Sequence, residues 1–137
     1  MVKHNRKGRS SKQSRFVMMP WIFMDSAAWL SLTPAQRSVF FQLCRWYNGF
    51  NNGQIGYSVR RASEECNIAK GTAAKAFKEL QSKGFIALEK EGSFSYKLRH
   101  AAEWRLTAFP TETKPATKDF MRWAPPSAGT TYSQVSA

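Results

Sequence analysis

The chain has few of the residues that build disulfide frameworks or metal sites. It contains two cysteines and two histidines among 137 residues. Cys44 and Cys66 are too few for a disulfide framework, and they lack the paired spacing of a zinc site. Both stand where helical periodicity expects an apolar residue, so we predict that they are reduced residues of the core. The sequence therefore predicts neither a bound metal nor a disulfide.

Motifs of common enzymes are missing as well. The sequence holds no glycine-rich phosphate loop, no HExxH helix and no nucleophile elbow. Glu64 and Glu65 are adjacent on one predicted helix, where we expect both to face solvent. His4 and His100 have no carboxylate or nucleophile at a useful spacing. We predict a protein that is not an enzyme, with no catalytic residue and no cofactor; a nuclease assembled from distant acids stays open.

No apolar run is long enough to cross a membrane. The run FVMMPWIFM at 16–24 follows a basic stretch, as in a signal peptide, but Pro20 interrupts it and Asp25 ends it. We expect an extended lead-in to the folded core, followed by a short helix that Asp25 or Ser26 caps. The sequence therefore predicts no membrane partner and a cytoplasmic protein.

Positive charge is in large excess. The chain has 21 Lys and Arg against nine Asp and Glu, a net charge of +12. This balance favours a polyanionic partner such as DNA, RNA or an acidic membrane surface. Residues 1–15 carry six of the basic residues, no acid and no apolar periodicity, which predicts a disordered basic arm. The arm either follows DNA phosphates or is only a solubilising tail. Its candidate DNA contacts are Lys3, Arg6, Lys7, Arg9, Lys12 and Arg15.

Residues 58–85 predict two helices joined by a tight turn, and Ser58 is expected to cap the first. The second helix begins near Ala69, ends at Gly84 as a left-handed C-cap and carries an apolar stripe with i, i+3, i+4, i+7 spacing from Ala73 to Leu80. The residues on its opposite face are basic or have small side chains. A helix-turn-helix protein presents side chains to the major groove in this way. The candidate DNA contacts of this reading helix are Lys70, Gly71, Thr72, Lys75 and Lys78.

The flanking segments predict the rest of a small domain. Thr33 and Pro34 indicate the start of a support helix that runs to about Tyr47. A short strand at 54–57 is expected to pair with a hairpin at 85–109, in which Gly92 makes the turn and Ala87 faces the core. The candidate contacts to the DNA backbone are Arg60 and Arg61 on the first helix of the pair, and Lys97 and Arg99 on the hairpin.

The segment ASEECNIAKGTAAKAFKELQSKGFI at 62–86 resembles the winged helix-turn-helix domains of bacterial regulators. A closer resemblance, to small winged-helix proteins of proteobacterial plasmids, prophages and other mobile elements, lies in separated motifs. These are LTPA at 32–35, RWYNG at 45–49, NNGQI at 51–55, GSF at 92–94 and EWRLT at 103–107. The resemblance implies an α+β winged helix-turn-helix fold, with a three-helix core and a β-hairpin wing. It also implies DNA binding, in transcription or replication control.

Together these patterns predict a domain at 16–109, between the arm at 1–15 and a loosely ordered C-terminal tail at 110–137. The island KDFMRW at 118–123 either packs on the domain or binds a partner. We expect sequence-specific binding of double-stranded DNA by a nucleoid-associated transcriptional regulator. The alternatives are a plasmid or phage replication initiator or accessory factor, a protein-interaction module, and RNA binding. A homodimer and a protein partner of the C-terminal tail stay open.

Overall fold

The first two helices among the described residues are short. The structure, a computed structural model, describes residues 15–94 and 99–126. Residues 15–20 lead into α1 (Trp21–Asp25) and α2 (Ala27–Leu30). Ser26 caps α2, because its Oγ accepts a hydrogen bond from the backbone N–H of Trp29 at 3.1 Å. The cap was predicted from the sequence, whereas α1 was not.

The support helix is α3 (Pro34–Arg45). Its start is fixed by a capping box: Thr33 Oγ1 accepts from the Gln36 backbone N–H at 3.2 Å, and Gln36 Oε1 accepts from the Thr33 N–H at 3.0 Å. The predicted start is therefore confirmed. The helix ends at Arg45, so Trp46 and Tyr47 lie half-buried just beyond it.

The next two helices are α4 (Val59–Cys66) and α5 (Lys70–Ser82). Ser58 caps α4 by accepting from the Arg61 N–H at 3.1 Å, as predicted. The turn between them, residues 67–69, begins with Asn67 in the left-handed conformation at φ 55°. Asparagine tolerates this conformation, so a short turn can reverse the chain. No side chain caps the start of α5, because Ala69 has no hydrogen-bonding group to offer.

Gly84 ends α5 in a left-handed conformation, with φ 85°. Its N–H donates to the carbonyl oxygen of Gln81 at 3.1 Å, and the Phe85 N–H donates to that of Leu80 at 2.9 Å. This pair of bonds is the Schellman motif, which satisfies carbonyls at a helix C-terminus. A Cβ at this position would also lie 2.7 Å from the backbone carbon of Asp119. Glycine is therefore needed both for the turn and for the close approach of a later segment.

A three-stranded antiparallel sheet packs on α5, so the described residues form an α+β fold. Its order is β1 (Ile55–Gly56), β5 (Glu103–Leu106), β2 (Ile86–Lys90). Ile86 pairs with Leu106. Because directly opposed residues share a face of the sheet, Ile86 rather than Ala87 is the buried residue of β2. The prediction that Ala87 faces the core was therefore wrong by one residue.

The hairpin extends beyond this sheet through a second pair of strands. β3 (Ser93–Phe94) pairs antiparallel with β4 (Arg99–His100). Gly92 lies between β2 and β3, where an added Cβ would be 3.1 Å from the Ala102 backbone nitrogen. Its predicted place in the turn was wrong: glycine allows the two arms of the hairpin to approach. Residues 95–98, between β3 and β4, lie outside the described residues.

The core includes a residue from the predicted C-terminal tail. Phe120 lies in a short 3-10 helix (Asp119–Arg122) and is 1% exposed. Its ring stacks on Phe85, with centroids 5.0 Å apart and planes 6° apart, and meets Phe23 edge-on at 5.2 Å. Of the two alternatives for this island, the structure shows packing on the domain, and the folded part extends past residue 109. Among the described residues, no helix combines the length and apolar character needed to span a membrane.

Candidate nucleic-acid interface

The buried side of α5 determines which of its side chains face solvent. The predicted stripe is confirmed, since Ala73, Ala76, Phe77 and Leu80 are all buried. The Phe77 ring stacks on Trp104 of β5 at 5.0 Å and lies 5.8 Å from the ring of Tyr57. These contacts hold the helix against the sheet, so its rotation about its own axis is fixed.

All five predicted contacts on α5 are exposed. They are Lys70, Gly71, Thr72, Lys75 and Lys78. No carboxylate of the described residues lies within 4.0 Å of the three lysines. A Cβ on Gly71 would meet nothing within 4 Å, so this glycine is not needed for packing inside the protein. Below, the outer face of α5 means these five residues.

The two arginines of α4 that were predicted to contact DNA differ from the lysines of α5, because each has an acidic partner. Arg60 is exposed and its Nε lies 3.3 Å from Glu64 Oε1. Arg61 Nε lies 3.3 Å from Glu65 Oε2, and its guanidinium carbon is 3.8 Å from the centre of the Trp46 ring. Both arginines are thus paired with an acid one turn along their helix. The charge of α4 is partly compensated, whereas the lysines of α5 have no such partner in the described part of the chain.

Glu65 does not behave as the solvated acid that the sequence predicted. Its Oε1 accepts hydrogen bonds from the Tyr57 hydroxyl at 2.9 Å and from Trp46 Nε1 at 3.2 Å. Burial alone would raise the pKa of Glu65, but these two donors and the charge of Arg61 outweigh it and hold that pKa below its usual value. Burial and the neighbouring Glu65 raise the pKa of Tyr57, so its hydroxyl stays a donor.

Sequence reasoning missed this cluster because two of its donors are distant in sequence. Tyr57 stands at the end of β1 and Trp46 at the end of α3. The one local signal was the spacing of Arg61 and Glu65, four residues apart, which favours an ion pair on a helix. Glu64 has the same spacing from Arg60, and its side chain is 65% exposed, as predicted.

Other predicted contacts lie at or beyond the limits of the described residues. Arg15 is exposed, and Arg99 belongs to β4. Lys97 and the remaining arm residues, Lys3, Arg6, Lys7, Arg9 and Lys12, lie outside the described residues.

The two cysteines differ in burial. Cys44 is buried, and burial raises the pKa of its thiol to about 12. Cys66 is half-buried, and its thiol pKa is also raised, first by burial and then by Glu65. Cys44 therefore fits the predicted core position fully and Cys66 only in part. Within residues 15–94 and 99–126, no three His, Cys, Asp or Glu side chains are grouped so as to hold a metal ion.

Comparison with known proteins adds no relative. No protein-family model, curated protein or solved structure matches this chain. The resemblance described above therefore depends only on the sequence segments quoted for it.

Proposed function

We propose that this chain is a winged helix-turn-helix protein that binds double-stranded DNA. In this proposal α4, the turn at 67–69 and α5 are the helix-turn-helix, and the hairpin of β2 to β5 is the wing. The short turn between two packed helices supports it, as does the position of the sheet against the inner side of α5. The helix α5 would enter the major groove, which is wide enough to admit an α-helix.

The observation that carries the proposal is the outer face of α5. Opposite charges one helical turn apart on a solvated helix surface stabilise the helix and offset each other. Here α4 has this pattern, with Arg60 and Arg61 each facing an acid. In α5 the acid Glu79 pairs with Lys83 and not with the three outer lysines. Three cations without an acidic partner among the described residues, on a helix that the core holds in place, form a surface suited to a polyanion.

Three residues of the outer face and one arginine of α4 have separate roles in the proposal. Lys75 and Lys78 lie directly opposite the buried stripe, so they would reach deepest, and Lys75 is the candidate donor to a guanine edge. Lys78 would contact a phosphate. Gly71, with open space around it, would allow the DNA backbone to come close to the start of the helix. Arg60 is 78% exposed and would bind phosphate in exchange for Glu64.

The test measures duplex binding by Lys75→Ala. If Lys75 contacts a base, the change should weaken binding to the preferred site by roughly 1–3 kcal/mol and affect a random duplex much less. Alanine keeps helix propensity, and the side chain is exposed, so the fold should be retained. Lys114→Ala is the matched control, because it removes the same charge from an exposed site in the segment after β5. Parental affinity in Thr72→Ala, Lys75→Ala and Lys78→Ala together would refute the role of α5.

The purpose of DNA binding is proposed from the sequence resemblance. We infer a cytoplasmic, nucleoid-associated transcriptional regulator of a bacterial or mobile-element gene, with plasmid or phage replication as the alternative. Mapping of bound DNA across the genome separates them. One site at a promoter favours the regulator, and clustered repeats at an origin favour the initiator. A two-fold symmetric site would indicate that the chain binds as a homodimer.

A further inference from the structure

Two arginines from different helices meet beside one tryptophan. Arg45 ends α3 and Arg61 lies in α4. Their guanidinium carbons are 4.8 Å and 3.8 Å from the centre of the Trp46 ring. Both also face the same oxygen, Oε2 of Glu65, at 4.0 Å from Arg45 Nη1 and 3.3 Å from Arg61 Nε. The sequence predicted a DNA contact for Arg61 alone.

Most of the donors in this cluster have no hydrogen-bond partner among the described residues. Within that part of the chain, Arg61 donates a hydrogen bond only through Nε, and the guanidinium of Arg45 donates none. The side chains are 58% and 43% exposed for Arg45 and Arg61, so their terminal N–H groups can reach a ligand from solvent. A guanidinium offers its donors in a planar fork that matches two oxygens of one phosphate.

We propose that Arg45 and Arg61 together form a clamp for one phosphate of the DNA backbone, with Trp46 as its support. The proposal rests on the proposed function and adds a contact from α3 to those from α4 and α5. Stacking on Trp46 holds the guanidinium groups in place before DNA arrives, so less side-chain entropy is given up on binding. We favour DNA as the source of the phosphate because α5, which carries the surface proposed to bind DNA, is the helix next to α4.

Glu65 sets the charge of the clamp. Two guanidinium groups and one carboxylate leave a net charge of +1, and Oε1 of that carboxylate is occupied by Tyr57 and Trp46. Glu65 therefore holds the two arginines in place without neutralising their combined charge. Glu65→Gln would raise the net charge to +2, so we expect this variant to bind DNA with a steeper salt dependence than the parent.

The experiment measures how duplex affinity varies with salt for Arg45→Ala. Removing one phosphate contact should reduce the slope of log K against log salt by about 0.9. The affinity difference from the parent should then shrink by roughly 3.5-fold between 50 and 200 mM salt, on specific and random duplex alike. Arg45→Lys keeps the charge, so it should keep the slope while losing affinity because the fork is gone. Arg45 is mostly exposed, and thermal unfolding of each variant checks that the fold is retained.

The matched control is Arg122→Ala. Arg122 is also an exposed arginine in an ion pair, 2.8 Å from Asp119 Oδ1, but it lies in the C-terminal 3-10 helix. We expect the slope of log K against log salt for Arg122→Ala to equal that of the parent.

Parental slope and affinity in Arg45→Ala, together with weakened binding in Lys75→Ala, would overturn the clamp and leave the proposed function standing. Unchanged binding in both variants, or a parent that binds no duplex, would overturn both proposals. An acidic peptide that displaces duplex from the parent but not from Arg45→Ala would assign the clamp to a protein partner instead.

Discussion

Phe120 provides a direct test of how far the folded part of the chain extends. Its ring is almost fully enclosed, between the rings of Phe85 and Phe23. A buried phenylalanine removes about 150–250 Å² from water, and truncation to alanine also leaves a cavity. We therefore expect Phe120→Ala to lower the free energy of unfolding by about 3–5 kcal/mol, a large share of the stability of a small domain.

Urea denaturation followed by tryptophan fluorescence measures this destabilisation, because Trp29 lies in the same core. Met121→Ala is the matched control: Met121 is the next residue of the same 3-10 helix but is 49% exposed, so its change should cost far less. Parallel denaturation slopes for parent and variants would indicate that only stability has changed. A destabilisation below about 1 kcal/mol for Phe120→Ala would mean that the segment does not pack as the structure has it.

Two further predictions concern Glu65 and the basic arm. Tyr57→Phe removes a donor to the Glu65 carboxylate and should cost about 1.5–3 kcal/mol at neutral pH. Because the folded-state pKa of Glu65 is lowered, this stabilisation is present above the unfolded pKa of about 4.3 and is lost as pH falls through the folded pKa. Unfolding curves of Tyr57→Phe and parent should therefore converge in acid, and a constant difference down to about pH 2 would contradict the assignment. Deleting residues 1–14 should leave the unfolding midpoint unchanged, since this stretch has no apolar periodicity that would predict packing on the core. The same deletion should flatten the salt dependence of duplex binding by about 0.9 for each phosphate that the arm neutralises. Equal slopes with and without the arm would remove it from the interface.

Features set by neighbouring residues could be predicted from the sequence. The caps at Thr33 and Ser58 and the buried stripe of α5 depend on side chains within one or two helical turns. The left-handed Gly84 depends on the absence of a Cβ. Local chemistry of this kind leaves few alternatives, and the structure confirms each of these predictions.

Features set by distant residues could not be predicted in this way. Phe120 sits in a stretch rich in Thr, Pro and Lys, with no periodicity to indicate burial, and its partner Phe85 lies across the fold. Gly92 looked like a turn residue because glycine is common in turns. Its actual constraint is the closeness of Ala102 on the opposite arm of the hairpin, which no local pattern contains.

The contacts that hold α5 in place also connect it to the two arginines. Phe77 of α5 stacks on Trp104, whose Nε1 donates to the Tyr57 carbonyl oxygen at 2.9 Å. The hydroxyl of the same Tyr57 donates to Glu65, which faces Arg61. The outer face of α5 and the arginine pair are therefore positioned by one continuous set of buried contacts. Lys75 lies outside this set, so truncating it changes the binding surface without changing its support. Truncating Tyr57 should disturb the support itself, and its effect on DNA binding should follow its effect on stability.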